Sequence, residues 1–376
     1  MKLFKSLLVA PATLGLLAPF SANATEVNFN AISNYSDEEI EIDINSFKPK
    51  SNQNLLLSGG EGLVDSHSHD GGFSETTTAS FSVDTVLGAI DGASSETTSL
   101  DFQFNIGLST SFTGEDSLDI AIDNGSATLS PMGTTMGFDS GTSLVVDGVT
   151  YSFPVGGASM IVGDSTDLSA AFTGACTYSA FTDLTPDDCG TGNSMGAGGK
   201  GVTAALGYAF DSGFSLAGGI TSGQGEILGD AADAFGINAA YSADNYGVAL
   251  AYTSDDGGTG DDSAAWGFNG YYTFDLASIS AGFETAESGG TDASGYFVGL
   301  TFPEVGPGSL NVAAATYDSV NSTGLFADDA TETLIYEASY SYSLNDGMTV
   351  TPGIFIQEVE GGDDLTGIAV KTSFSF

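Results

Sequence analysis

From Ser74 to Phe376 the chain repeatedly alternates apolar residues with small or polar ones. Thr77, Ala79, Phe81, Val83 and Thr85 share one face of such a stretch. Leu100, Phe102, Phe104, Ile106 and Leu108 share another, with Asp101, Gln103 and Asn105 between them. Leu118, Ile120 and Ile122 alternate with Asp119, Ala121 and Asp123. The pattern recurs around Tyr208, Leu216, Ile237, Leu250, Phe268, Phe283, Val298, Val312, Tyr336 and Ile354. It ends on Ile368, Val370, Thr372, Phe374 and Phe376. A period of two marks a strand with two unlike faces. Each stretch has about the 9–11 residues of a tilted strand crossing a bilayer. The second faces carry Gly, Ala, Ser, Thr, Asn and Asp, whereas the acids gather between the stretches. A soluble sandwich would keep a charged outside, so the pattern predicts an all-β, antiparallel transmembrane barrel.

The connections alternate in length. Thr113-Gly114, Asp211–Gly213, Ala243–Asn245, Asp275-Leu276, Pro303–Gly308 and Asn345–Gly347 are tight and rich in Gly, Asn and Asp, as turns require. Between them fall long segments such as Asp123–Gly141, Asp164–Gly199, Ser222–Asp233, Glu284–Ala293 and Asp318–Thr331. Short turns on one side and long loops on the other match an outer-membrane barrel. Counting back from Phe376 puts the short turns in the periplasm. Thr142–Asp147 and Val149–Val155 resemble a hairpin, but counting both gives about seventeen strands and breaks the parity. Taking Val145–Val155 as one strand restores about sixteen, enough for an aqueous channel.

Met1–Ala24 reads as a cleaved signal peptide: Lys2 and Lys5, an apolar Leu7–Phe20, then Ala22-Asn23-Ala24. Thr25–Gly72 is a weakly patterned periplasmic segment, and Phe73–Phe376 is the barrel. Arginine is absent, and six lysines face 49 acids for a net charge of −43. Removing Lys2 and Lys5 takes it to −45. Nucleic acid is thereby excluded as a partner, and cations are favoured over anions near the protein. His67 and His69 could share a face in an extended chain, but two ligands without a shell do not make a metal site. Asp255–Asp262, Asp328-Asp329 and Asp363-Asp364 lack calcium-loop spacing and read as solvated loops. No cofactor is expected. Both histidines precede the barrel, and no nucleophile elbow, phosphate loop or dinucleotide fingerprint stands between a strand and a helix, so the chain is not read as an enzyme. Cys176 and Cys189 lie in one polar segment of an exported chain and are expected to form a disulfide.

The terminal strand resembles the C-terminal signature of outer-membrane barrels, which implies that Phe374 and Phe376 are read by the β-barrel assembly machinery. Thr110–Leu118 resembles a motif of cyanobacterial outer-membrane porins of the iron-uptake or S-layer-homology type, relatives of carbohydrate-selective porins. Phe73–Thr78 and Val149–Gly156 are similar to further segments of that family. The resemblance implies a passive channel for small solutes and inorganic ions, iron among them, in the cell outer membrane. Glu115 stands where the family usually has lysine, and Asp119 and Asp123 where it tends to carry arginine. The peptidoglycan-binding domain of the family has no counterpart in Thr25–Gly72, so anchoring is not carried over. Porins in general are homotrimers bathed in lipid.

Asp164–Gly199 joins the fifth and sixth strands and is the longest loop, a length usually tied to function. In sixteen-stranded porins the third outer loop folds into the pore. Asp164, Asp167, Asp183, Asp187 and Asp188 are therefore expected at a constriction that favours cations. Asp101, Gln103, Asn105, Asp119, Asp123 and Lys200 are expected along the pore wall. The competing readings are a carbohydrate-selective porin and a plugged barrel with a structural or adhesive role.

Overall fold

The computed structural model describes residues 77–376, except 127–129, 142, 197–198, 224–231, 258–260, 318–325 and 328–330. The signal peptide, the segment to Gly72, both histidines and Asp328-Asp329 lie outside the described residues. So does part of Asp255–Asp262.

Sixteen antiparallel strands form a closed barrel. In chain order they are β1 (Thr77–Asp91), β2 (Ser99–Thr110), β3 (Ser117–Gly125), β4 (Val145–Val155), β5 (Ala158–Thr166), β6 (Gly201–Ala209), β7 (Phe214–Ser222) and β8 (Asp233–Ser242). β9 (Tyr246–Asp255), β10 (Ser263–Thr273), β11 (Ser278–Ser288), β12 (Thr291–Val305), β13 (Gly308–Thr316), β14 (Leu334–Asn345), β15 (Met348–Gln357) and β16 (Leu365–Ser375) complete it. Each strand pairs with its neighbours in sequence, and β1 pairs with β16 from Ser82↔Ser375 to Asp91↔Thr366. A two-residue strand, Phe326–Ala327, adds to the far end of β12 and is not part of the wall.

The alternation sorts side chains as a bilayer-spanning wall requires. Ile237, Phe268, Phe283, Val298 and Ile354 are exposed on the outer face, and Phe268 keeps 51% of its surface open. Their neighbours Asn238, Asn269, Glu284, Phe297 and Phe355 are buried on the inner face. Aromatic pairs gather beside the short turns: Tyr208 with Phe210 at 4.5 Å, Phe214 with Tyr241 at 4.6 Å, Tyr272 with Phe274 at 4.6 Å. Amphipathic rings at one level form an interfacial girdle. Pro352 sits on the outer face of β15, and the β14–β15 register skips from Ser339↔Gly353 to Tyr342↔Val350 around it. A residue without an N–H cannot complete that ladder.

The false hairpin at Asp147 has a local cause. Ala121 pairs with Gly148, but Ile122 pairs with Val146, so Asp147 is the extra residue of a β-bulge. A bulge shifts the alternation by one without turning the chain, which is why β4 is one strand. A second expectation is corrected. Glu284–Ala293 is not a long loop, because β11 runs to Ser288 and β12 restarts at Thr291. Gly289 and Gly290 make the turn with φ of 58° and 79°, which a two-residue hairpin of this hand needs at both positions.

The inner face is also less polar than expected. Val86, Ile90, Phe297, Ile335 and Phe355 point inward and form one cluster with Met132, Met136, Phe138 and Phe181 from two loops. The barrel therefore holds an apolar core inside its lumen.

Candidate functional site: the folded-in loop and the passage beside it

The loop between β5 and β6 turns into the barrel. Asp167 starts it by capping the 3-10 turn Leu168–Ala170, its carboxylate accepting from the Ser169 amide at 2.8 Å. Leu168 and Phe172 pack against the wall with Ala205, Ala234 and Ala251. The chain then crosses the inner face strand by strand. Thr173 N donates to Asn238 Oδ1 on β8 at 2.8 Å, and Ala175 N donates to Asn269 Oδ1 on β10 at 2.8 Å. Thr177 N donates to Ser280 Oγ on β11 at 3.1 Å.

At β14 the loop meets Glu337, which is 3% exposed. Its carboxylate accepts from Phe181 N at 2.8 Å, Thr182 N at 3.0 Å, Thr182 Oγ1 at 2.8 Å and the Tyr178 hydroxyl at 2.9 Å. A charged acceptor with four donors is the strong form of hydrogen bonding. Burial, and then the Glu337 charge, push the Tyr178 hydroxyl far above its ordinary pKa, so it remains a donor. The return arm passes Asp187–Gly190, where Asp188 and Cys189 adopt φ of 50° and 57°. It ends in a short helix α2 (Gly192–Gly196) over Glu284 of β11. Glu284 accepts from Ser194 N at 2.5 Å and Asn193 Nδ2 at 2.7 Å.

Cys176 and Cys189 form the expected disulfide, tying the outward arm to the return arm. Asn269 holds both arms beside it, accepting from Ala175 N and donating to the Asp188 carbonyl at 2.9 Å and to Thr191 Oγ1 at 2.7 Å. The loop thus covers the inner face from β8 to β14, and Phe181 reaches Gly353 on β15.

A recess of about 470 Å³ is bordered by Thr78, Ser80, Ser109, Asp119, Asp147, Thr150, Asp167, Ser169 and Lys200. Lys200 Nζ donates to Asp147 Oδ2 at 2.6 Å. Asp123 lies near enough to Asp139 and Asp147 for their charges to interact. Negative charge therefore concentrates along β3 and β4, with one lysine among it.

The expected constriction residues do not all meet. Asp167 borders this recess, and Asp183 is exposed near the loop's far end, its amide donating to the Thr135 carbonyl at 2.9 Å. Asp188 contributes its carbonyl to Asn269. Asp187 lies in the left-handed turn, and its side chain is outside the described ones. Asp164 belongs to β5, not to the loop; it pairs with Val149 on the face shared with Tyr151 and Val162, away from the passage. The strand runs three residues further than expected, to Thr166, and so takes in Asp164. Among the wall residues, Asp119 borders the recess. Gln103 Nε2 donates to Asn105 Oδ1 at 3.1 Å, and Gln103 Oε1 accepts from Asp139 N at 3.2 Å. Asn105 in turn donates to Ser82 Oγ at 3.5 Å. Asp101 is inward but only 2% exposed, so it does not line water. The Ser99 and Ser130 hydroxyls reach its Oδ2 at 2.8 and 2.5 Å.

Glu284 and Glu337 were not anticipated from sequence. Their signal was present: each is an acid that follows an outward aromatic at an inward strand position, Phe283-Glu284 and Tyr336-Glu337. An acid inside a bilayer-spanning strand needs a buried partner.

The motif Thr110–Leu118 forms the β2–β3 turn, organised by Asp116. Its Oδ1 accepts from Thr113 N at 2.7 Å, Thr113 Oγ1 at 2.7 Å and Ser111 Oγ at 2.8 Å, and its Oδ2 from the Tyr151 hydroxyl at 2.8 Å.

The family described as Gram-negative porin matches residues 50–363. No curated protein matches the chain. Among solved structures, OprB of Pseudomonas putida at high pH superposes with a TM-score of 0.61 at 12% identity, over 80% of this chain and 94% of that one. A loop L8 deletion mutant of OmpT, an outer membrane protein of Vibrio cholerae, gives 0.57 at 12% identity, over 80% and 99%. A mutant of Rh. blastica porin gives 0.51 at 16% identity, over 80% and 100%. At these identities the likeness is one of fold.

Proposed function

We propose, from the premise that this chain belongs to the Gram-negative porin family, that its barrel is a passive, cation-favouring diffusion pore constricted by the disulfide-tied loop. The protein is an outer-membrane channel for solutes, with its apolar outer face in lipid. The observation that carries the charge preference is the passage itself. Asp119, Asp147 and Asp167 border it, and Lys200 is spent on Asp147. A confined space of net negative charge raises the local concentration of cations. Inorganic cations, iron among them, are the cargo such a passage would favour. The finer likeness to iron-uptake and S-layer-homology porins rests on Phe73–Thr78, Thr110–Leu118 and Val149–Gly156 alone. Carbohydrate uptake would need sugar-stacking aromatics in the passage, and none of the residues lining the recess is aromatic. Reversal potentials in a salt gradient across a planar bilayer test the proposal: cation preference supports it, and anion preference overturns it.

The apolar cluster inside the lumen favours a second reading, a barrel too filled to conduct. A wild-type barrel with no open state would support it. Export on Met1–Ala24, assembly into trimers and delivery by the barrel assembly machinery complete the proposal. The last is supported by the position of the terminal aromatics: Phe374 pairs with Val83, and Phe376 stacks on Phe81 at 5.8 Å.

A further inference from the structure

The segment after β3 does not extend away from the mouth. Ser126 and Ser140 form a β-bridge at its base, and Gly141 N donates to the Gly125 carbonyl at 3.2 Å. Between them a single helical turn, α1 (Pro131–Thr135), lies on the inner faces of β1 and β2. Ser130 caps it, its hydroxyl accepting from Gly133 N at 3.0 Å. The same hydroxyl donates to buried Asp101 at 2.5 Å, so one wall carboxylate holds the cap residue. Met132, Met136 and Phe138 enter the lumenal cluster with Val86, Ile90 and Phe181. Thr135 accepts from Asp183 N, which joins this segment to the disulfide-tied loop. At its other end Asp139 is held to Gln103 and brings its charge beside Asp123 and Asp147. The approach is close: a Cβ on Gly125 would stand 2.1 Å from the Asp139 carbonyl oxygen.

We propose that Ser130–Gly141 is a second wall of the constriction, packed with the disulfide-tied loop as one rigid unit, with Asp101 as its positioning residue and Asp139 as its charge in the passage. This rests on the channel reading above and extends it. A single infolded loop would leave the lumenal face of β1 and β2 uncovered near Val86–Ile90 and Ser99–Asp101; here that part is occupied by a segment with its own cap, base bridge and apolar core.

Three variants test this in planar bilayers, each first confirmed as a folded barrel by heat-modifiable migration. Asp101→Ala and Gly125→Ala should both raise single-channel conductance and add subconductance states. Asp139→Asn should leave conductance near wild type and move the reversal potential toward zero. A merely structural Asp101 would lower thermal stability without changing conductance. Unchanged conductance in both Asp101→Ala and Gly125→Ala overturns the proposal while the channel reading stands. A wild-type barrel that never conducts overturns both. If the variants fail to fold, hydrogen exchange on the wild-type barrel decides. Protection of the Gly133, Phe138 and Asp183 amides comparable to the wall strands supports the rigid unit, and exchange at free-loop rates overturns it.

Discussion

Tyr178 donates a 2.9 Å hydrogen bond to Glu337, a partner 159 residues further along the chain. One end of that bond is in the infolded loop and the other in the wall, so the acid that tolerates burial in β14 does so because the loop is there. Glu337→Ala should leave the Phe181 and Thr182 amides and the Tyr178 hydroxyl without their acceptor. Each such group costs about 1–3 kcal/mol if it stays buried. The loop is expected to release instead, with higher and noisier single-channel conductance. Glu337→Gln keeps an acceptor oxygen and should lie between.

Neutralising the passage should weaken ion preference without changing its size. Asp119→Asn combined with Asp123→Asn is expected to lower the cation-to-anion permeability ratio, read as a reversal potential closer to zero. Lys200→Met should move it the other way, because Asp147 then loses its counter-charge.

The disulfide closes a separation of 13 residues. Cross-links of about that span are worth roughly 3 kcal/mol in the loop-entropy account. Cys176→Ser with Cys189→Ser should therefore leave the barrel's migration unchanged. It should also open the loop to limited proteolysis between residues 176 and 189, measured by the appearance of a nicked chain.

Asp116 links pH to the β2–β3 turn. Burial alone would raise its pKa, but donors from the Thr113 amide and hydroxyl, Tyr151 and Ser111 outweigh it, and the carboxyl titrates well below its usual range. Its folded pKa is depressed, so its stabilisation is present above the unfolded value near about 3.9 and is lost as pH falls through the folded one. Asp116→Asn should lower the unfolding temperature at neutral pH. The gap from wild type should close only at strongly acidic pH.

Phe376 exchanges backbone hydrogen bonds with Phe81, each 3.0 Å long, at the edge of the seam. Deleting Phe376 should reduce the yield of assembled barrel in the outer membrane. Refolding into detergent should be affected less. Undiminished membrane assembly would remove its role as an assembly signal.

The wall was legible because its information is local. Each strand states its faces with a period of two, and the same rule counted sixteen strands once Val145–Val155 was kept whole. The bulge at Asp147 imitated a hairpin because both shift alternation, and only pairing to Ala121 and Ile122 separates them. The lumen was legible in part. The disulfide followed from cysteine content; the loop stood out by its length, but its infolding was expected only from the resemblance to sixteen-stranded porins. Asp101 was misplaced because an inward position does not say what covers it, and its cover, Ser130, lies 29 residues away. The wall fasteners Asn238, Asn269 and Glu337 act over 65, 94 and 159 residues, distances at which periodicity carries no information.

The β1–β16 seam gives the barrel a particular order of events. Across it the Thr85 hydroxyl donates to the Thr372 carbonyl over 287 residues. By the logarithmic law of loop closure, joining ends so far apart costs about 3 kcal/mol more than closing a ten-residue hairpin. Neighbouring hairpins can therefore form while the ring is still open, and until it closes the first and last strands are two bare edges able to pair with other chains. Once joined, no strand is an edge. Detaching any one strand then has to undo two ladders at once, so the sixteen strands melt as a single cooperative ring.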